Sequence, residues 1–442
     1  MRKALHTLFK TRHLANPHRL SGTTLLRCCL ALTGILTILP MSASQAADCT
    51  TKIGAVLPTS VDWGRPIAET AQFAVDIYNE SGGVKGCDIE MVLRDSQVDP
   101  KIGVDAAKAL VDLDKVPLLL GAVSSGVSMP ILTSVTAPAG VMQMSCCSSS
   151  TAFTDVAKEG KSKGLWFRTF ATTRNQAAVA ARLIEERGYK SVGIFYKNDD
   201  WGQDIGKLVA ADLATLGIEV TLSAAVNDGQ SSYRAEVTEV LKTKPEALYL
   251  ALYPTEGISL VREWVSLGGT QKFVAANSLK SDEFRDGVGA QYLTDLIGHD
   301  SAPPRTDSAS TFVEMYKAKF DSEPNGPGLP NSFDAVMISL LAMDAAPELT
   351  GASIAAQVSK VTDPAGTPIF PDVDGLKQAR MLLNEGKTVS YQGASGAVVF
   401  DANGDVSAPA LAWSFTETGV EEVSYFPLAE IDAFIGKLAG TK

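Results

Sequence analysis

The residues with most chemistry to offer are hydroxyls gathered at two places. The stretch Val116–Pro130, VPLLLGAVSSGVSMP, breaks from an apolar run into Ser124-Ser125-Gly126. The stretch Val141–Thr151, VMQMSCCSSST, ends a second apolar run in Ser145, Ser148, Ser149 and Ser150. Short apolar runs bounded by turn signals read as buried parallel strands. Ser128 then heads a periodic segment, Met129, Leu132, Val135 and Thr136, which predicts a helix. Strand, glycine turn and helix start in succession bring free backbone N–H groups together with the hydroxyls of Ser124 and Ser125. Such a corner holds an anion, a carboxylate included. Two hydroxyl-lined strand ends of one open sheet converge on the crevice where α/β sheets bind ligands.

Catalytic chemistry is poorly supplied by comparison. Beyond the first 47 residues the chain has one histidine, His299, which excludes clustered-histidine metal sites and an HExxH helix. A Ser-His-Asp arrangement would have to use His299, and no G-x-S-x-G elbow accompanies it. There is no G-x-x-x-x-G-K-[ST] loop, and no G-x-G-x-x-G follows the first strand. The expectation is a binding protein with no catalytic residue, metal or cofactor.

Elements that position the serines follow from the hydrophobic pattern. Strand, helix, strand recur from residue 51 onward, predicting parallel sheets covered by helices, an α/β fold. Ile53–Leu57 is the first expected strand, followed by the loop holding Trp63 and a helix over 66–81 that stops at Gly82-Gly83. Ile89–Leu93 is next, and Asp99-Pro100 caps another helix. After a short strand over 165–170 the pattern starts afresh. Helix 175–187, strand 192–196, a loop with Trp201, helix 203–216 and strand 219–222 lead to helix 233–243, strand 247–252, helix 257–266 and strand 272–275. Two successive runs of this kind imply two similar doubly wound, Rossmann-like lobes. Residues 301–345 return to helix around the Pro/Gly-rich segment Glu323–Pro330.

The chain's 442 residues suit two domains. Its first 47 carry six of the 39 basic residues and no acidic one, then an apolar core from Cys28 to Leu39 and a small-residue tail. That is a secretory signal, expected to be cleaved after Ala46 or Ala47, with a core too short to span a bilayer. The remaining 33 basic against 50 acidic residues leave a net charge near −17. Such a surface argues against nucleic acid or an anionic membrane as partner. Of the four remaining cysteines, Cys49 and Cys87 each lie just before an expected strand. If those strands are parallel neighbours, a Cys49–Cys87 disulfide forms in the oxidising compartment. Cys146 and Cys147 are expected as two buried thiols, a vicinal disulfide lining the crevice being the alternative.

At this point the chain resembles the type I periplasmic substrate-binding proteins of ABC transporters, of the leucine/isoleucine/valine-binding kind. The matching stretches are KIGAVLP at 52, GGVKGCDIE at 82, DSQVDPKIGVDAAKALV at 95, FRT at 167 and YQGASGAVVFDANGD at 391. The resemblance implies the type I periplasmic binding protein fold: two lobes joined by three crossings and closing on a small solute. Lobe 1 would be 48–170 with 300–408, and lobe 2 would be 171–299 with 409–442. It places a carboxylate grip on Ser125 with Ser148 and Ser149, beside Ser124. Trp63 would flank the solute from lobe 1, Trp201 would cover it from lobe 2, and Tyr253, or Leu252 beside it, would line the pocket. Asn277 falls where amino-acid binders hold the α-ammonium with an acidic residue, so an uncharged group stands there. The function implied is an exported, periplasmic protein delivering a carboxylate-bearing solute, an amino acid of branched-chain type, to the membrane permease of an ABC importer. A non-amino, aromatic organic acid is the alternative solute, and a ligand sensor of the same fold is the alternative role. Arg174 and Lys280 are expected to be solvated, and Arg168 to brace a crossing.

Overall fold

The computed structural model describes residues 49–440, which fall within one compact unit. The expected leader lies outside the described residues. Among these no helix is long and apolar enough to cross a membrane.

Five parallel strands form the first sheet: β1 (Thr50–Leu57), β2 (Asp88–Asp95), β3 (Leu118–Gly121), β4 (Met142–Ser145) and β5 (Trp166–Arg168). Every residue of β3 and β4 is buried, as expected of strands covered by helices on both faces. The spatial order is β2-β1-β3-β4-β5. The chain therefore winds one way from β1 to β2 and the other way to β3, and the loops leaving β1 and β3 flank a crevice.

The second sheet repeats this arrangement with β6 (Ser191–Lys197), β7 (Glu219–Val226), β8 (Ala247–Ala251), β9 (Phe273–Ala275) and β10 (Ile297–Ser301). A small third sheet contains β11 (Thr367–Ile369), β12 (Val389–Gly393) and β13 (Gly396–Ala397). The hairpin β14 (Ala410–Phe415) and β15 (Val420–Phe426) then joins the second sheet antiparallel to β10, giving β15-β14-β10-β9-β8-β6-β7. Here β6 lies between β7 and β8, so the loops after β6 and β8 flank a second crevice.

Helix Leu329–Ala345 is apolar nearly all round and buried along most of its length, where it packs on helix Arg65–Glu80 beside the first sheet. Its Asp334 carboxylate is the hub of the YQGASG stretch. Tyr391 Oη donates to Oδ1 at 2.7 Å, as does Ala394 N–H, and Ser395 N–H donates to Oδ2 at 2.7 Å. A Cβ on Gly393 would stand 2.2 Å from Asp334 Oδ1, so only glycine lets this carboxylate approach.

Several boundaries differ from the sequence reading for local reasons. The helix expected to begin at Ser128 begins at Ser125, and the Ser128 hydroxyl turns inward to donate to Ala122 O at 3.0 Å. The helix expected from Gln203 begins at Asp200, because the Asp199 carboxylate caps it by accepting from Gly202 N–H at 2.8 Å. Strand β10 was not anticipated, since its sequence IGHDS has too few apolar residues to stand out. Cys49 and Cys87, at the starts of neighbouring β1 and β2, are joined with their Cα atoms 4.9 Å apart. Cys146 and Cys147, expected as two buried thiols, are bonded to each other. The Ser145 hydroxyl accepts from Cys147 N–H at 3.3 Å and Ser148 N–H at 3.0 Å, folding the chain tightly at this point.

Candidate functional site

Loops leaving the C-terminal ends of both sheets meet around one cavity. Trp63 follows β1, Ser125 follows β3, and Cys147 and Ser149 follow β4. Across from them stand Trp201 after β6, Tyr253 after β8, and Asn277 with Ser278 after β9. Ile67, Val123, Phe170, Pro327 and Gly328 close the remainder. None of the described residues lining this cavity carries a charge.

Three aromatic rings form a continuous stack. Tyr253 lies between Trp63, with ring centroids 5.1 Å apart, and Trp201, at 5.2 Å. The rings are near parallel, at 14° and 18°. Side chains on segments that follow strands of the two sheets are thus in direct contact, and stacking of this kind adds to the area that the rings bury. The Tyr253 hydroxyl continues the contact by donating to Ser124 Oγ at 3.1 Å.

The hydroxyls divide into three roles. Ser125 Oγ accepts from the N–H groups of Ser149 and Ser150, both at 3.2 Å, so it ties the two strand ends together and keeps its own proton to donate. The Ser149 hydroxyl has no hydrogen-bond partner among the described residues and borders the cavity. Ser148 does not reach it. Its hydroxyl is buried, within 3.2 Å of Ala122 O, 3.1 Å of Val123 O and 2.7 Å of Ser128 Oγ. Ser124 does not line the cavity either, and donates to Asp199 Oδ2 at 3.3 Å.

Asp199 was missed by the sequence reading. It approaches the start of helix Ser125–Ile131, where a Cβ on Gly126 would lie 3.0 Å from Asp199 Cβ. Burial pushes its pKa up to about 6, against the opposing pull of the Gly202 N–H, Lys197 and Ser124. Asp204 makes a second contact of this kind, accepting from Thr151 N–H at 2.7 Å and Thr151 Oγ1 at 2.8 Å. Both aspartates look in the sequence like ordinary helix-start residues, and only the juxtaposition of the sheets reveals their partners.

Asn277 lines the cavity, and its Oδ1 is buried with no protein partner among the described residues. Lys280, expected to be solvated, is instead mostly buried and paired with Asp300 at 3.0 Å. Arg174, also expected to be solvated, pairs with Asp212. Arg168 is fully buried. It donates to Asp405 Oδ1 at 2.7 Å, Ser150 O at 2.7 Å and Ser148 O at 3.2 Å, so it braces the serine loop from behind. His299 is buried too, its Nε2 3.1 Å from the Tyr249 hydroxyl, and burial pushes its pKa down to about 3. It does not border the cavity.

A larger cavity opens to solvent beside the 324–330 segment. Its charged side chains are largely satisfied among themselves, as in Lys280–Asp300, Arg305–Glu422 and Lys317–Glu323. The convergence of strand ends belongs to the smaller cavity, which is therefore the candidate site.

Comparison with known proteins gives a match to the family model described as periplasmic binding protein over residues 50–387. A chemotactic signal transduction substrate-binding protein, BasB, from Halobacterium salinarum is 25% identical over 79% of this chain and 81% of its own. The Leu/Ile/Val-binding protein BraC3 of Rhizobium johnstonii is 27% identical over 60% of this chain and 72% of its own. Among solved structures, the leucine-binding protein LivK of Thermotoga maritima superposes with a TM-score of 0.72 at 22% identity, covering 86% of this chain and 99% of that one. A solute-binding protein from R. palustris, in complex with benzoate, gives 0.66 at 15% identity, covering 86% and 97%.

Proposed function

Because this chain belongs to the periplasmic binding protein family, whose members are non-enzymatic substrate-binding proteins of ABC transporters, we propose that it captures a small carboxylate-bearing solute between two lobes. The solute is then delivered to the permease of an ABC importer. Lobe 1 comprises 48–170 and 300–408, lobe 2 comprises 171–299 and 409–442, and the leader over 1–47 directs export. The observation that carries the reading is the convergence of Ser125, Ser149, Trp63, Trp201, Tyr253 and Asn277 on one uncharged cavity. The Ser125 and Ser149 hydroxyls take the carboxylate, and the stacked rings take the apolar body.

Relatives named for leucine, isoleucine and valine support a branched-chain amino acid as the solute. A second reading, a non-amino aromatic acid, is favoured by the absence of a charged group at Asn277 to offset a buried ammonium. A benzoate-bound structure of the same fold supports it.

A thermal-shift screen with L-leucine, L-valine, benzoate and simple aliphatic acids tests both. A solute at 100 times its Kd stabilises the bound form by about 2.7 kcal/mol, enough to move Tm visibly. Shifts with the amino acids establish the first reading, and shifts only with acids lacking an amino group establish the second. No shift with any carboxylate rejects the carboxylate grip.

A further inference from the structure

Cys146 and Cys147 differ in environment although they are adjacent and bonded to each other. Cys146 is buried in the hydrophobic core beside the first sheet, with Met142 and Met144. Cys147 is half-buried and borders the cavity that holds Trp63, Ser149 and Tyr253. One sulfur of the disulfide is therefore reachable from the cleft, and the other is the one left behind when the bond opens.

We propose that this disulfide is a redox-sensitive wall of the solute cleft: reduction by a dithiol weakens solute capture, and reoxidation restores it. The proposal rests on that cavity being the solute site. A thiolate of the reductant attacks Cys147 Sγ, forming a mixed disulfide, and Cys146 leaves as a thiolate that takes up a proton. The reductant's second thiol then attacks its own sulfur in the mixed disulfide, and Cys147 is released to be protonated. The protein disulfide gains two electrons and two protons, and the dithiol loses them in becoming a disulfide.

The surroundings of Cys147 carry the change to the serines. A Cβ on Gly328 would stand 2.6 Å from Cys147 Sγ, so the sulfur is already hard against the 324–330 segment. Released from Cys146, it moves either into the cleft or against that segment, because close-packed surroundings offer it no other volume. The Cys147 N–H is held by Ser145 Oγ, which also holds the Ser148 N–H. The next two N–H groups, of Ser149 and Ser150, bond to Ser125 Oγ. A displaced Cys147 therefore shifts the hydroxyls assigned to the solute.

The test treats the exported chain with iodoacetamide, with and without dithiothreitol, and locates modified cysteines by mass spectrometry. Titration calorimetry with L-leucine and with benzoate follows, on wild type, Cys49→Ala/Cys87→Ala and Cys146→Ala/Cys147→Ala. The proposal expects Cys147, whose side chain borders the cleft, to be modified only after reduction. It expects affinity to fall by about tenfold or more on reduction in wild type, with no response in the Cys146→Ala/Cys147→Ala variant. Modification without reductant, unchanged affinity, or a response that follows Cys49–Cys87 overturns it. If neither solute binds, the solute reading is in question, and tryptophan emission decides the present proposal. A dithiothreitol-induced change in wild type that is absent from Cys146→Ala/Cys147→Ala supports it, and the lack of such a change overturns it.

Discussion

Ser125 and Ser149 face the same cavity but are held differently, and the difference separates affinity from stability. Ser149 has a hydroxyl without a partner among the described residues. Ser149→Ala is therefore expected to weaken binding of whichever solute the thermal screen identifies by about 1–3 kcal/mol, with Tm nearly unchanged. Ser125 Oγ accepts two backbone N–H groups that alanine would leave unpaired. Ser125→Ala should weaken binding comparably and also cost about 1–3 kcal/mol of stability. Calorimetric titration and urea unfolding on both variants check this, and equal stabilities would remove Ser125 from its bridging role. The serine cluster was legible from composition, since hydroxyls after two apolar runs stand out. Which serine faces the cavity was not. Ser148 and Ser149 are neighbours of the same type, and only the fold turns one inward to Ser128 and leaves the other outward.

At the scale of elements, the supports behind the site are made by distant segments. The FDANGD turn presents Asp405 to Arg168, and the Asp401 carboxylate folds that turn by accepting from Asn403 N–H at 2.8 Å and Asp405 N–H at 3.0 Å. Arg168 in turn holds the carbonyls of Ser148 and Ser150. Asp405→Ala would leave a buried guanidinium without its counter-charge, and is expected to destabilise by about 3–5 kcal/mol. Glu159→Ala, which removes an exposed pair with Lys161, should cost about 0–1 kcal/mol. Urea midpoints for the two variants make the comparison, and similar losses would refute the bracing role. Strands and helices were readable because apolar periods of two and 3.6 are local properties of the chain. β10 and the β14–β15 hairpin were not, because they are completed by partners far away in sequence.

For the whole molecule, buried ionisable groups set opposing responses to acid. His299 is held neutral, with its pKa pushed to about 3 from an ordinary 6.5. The unfolded chain takes up that proton first, so its contribution to stability falls as pH drops from about 6.5 to about 3, by about 1.4 kcal/mol per unit. Asp334 is pushed up to about 6 by burial. The folded chain is protonated there before the unfolded one, so its contribution rises as pH falls from about 6 to about 4. Relative to wild type, His299→Gln should gain stability progressively on acidification below pH 6.5, whereas Asp334→Asn should lose relative stability between pH 6 and 4. Urea unfolding across pH 3.5–7.5 checks both signs, and parallel profiles for the three proteins would contradict the assignment.

The amino-acid sequence by itself determined the α/β class, the scarcity of catalytic side chains and the two hydroxyl-rich strand ends. Each is a property of composition or of short-range period. The tertiary structure alone decided that Tyr253 stacks between Trp63 and Trp201, that Asp199 meets Ser124, and that Cys147 rather than Cys146 borders the cleft. Those outcomes depend on how two separately wound sheets face one another, and no local pattern in either half of the chain encodes that geometry.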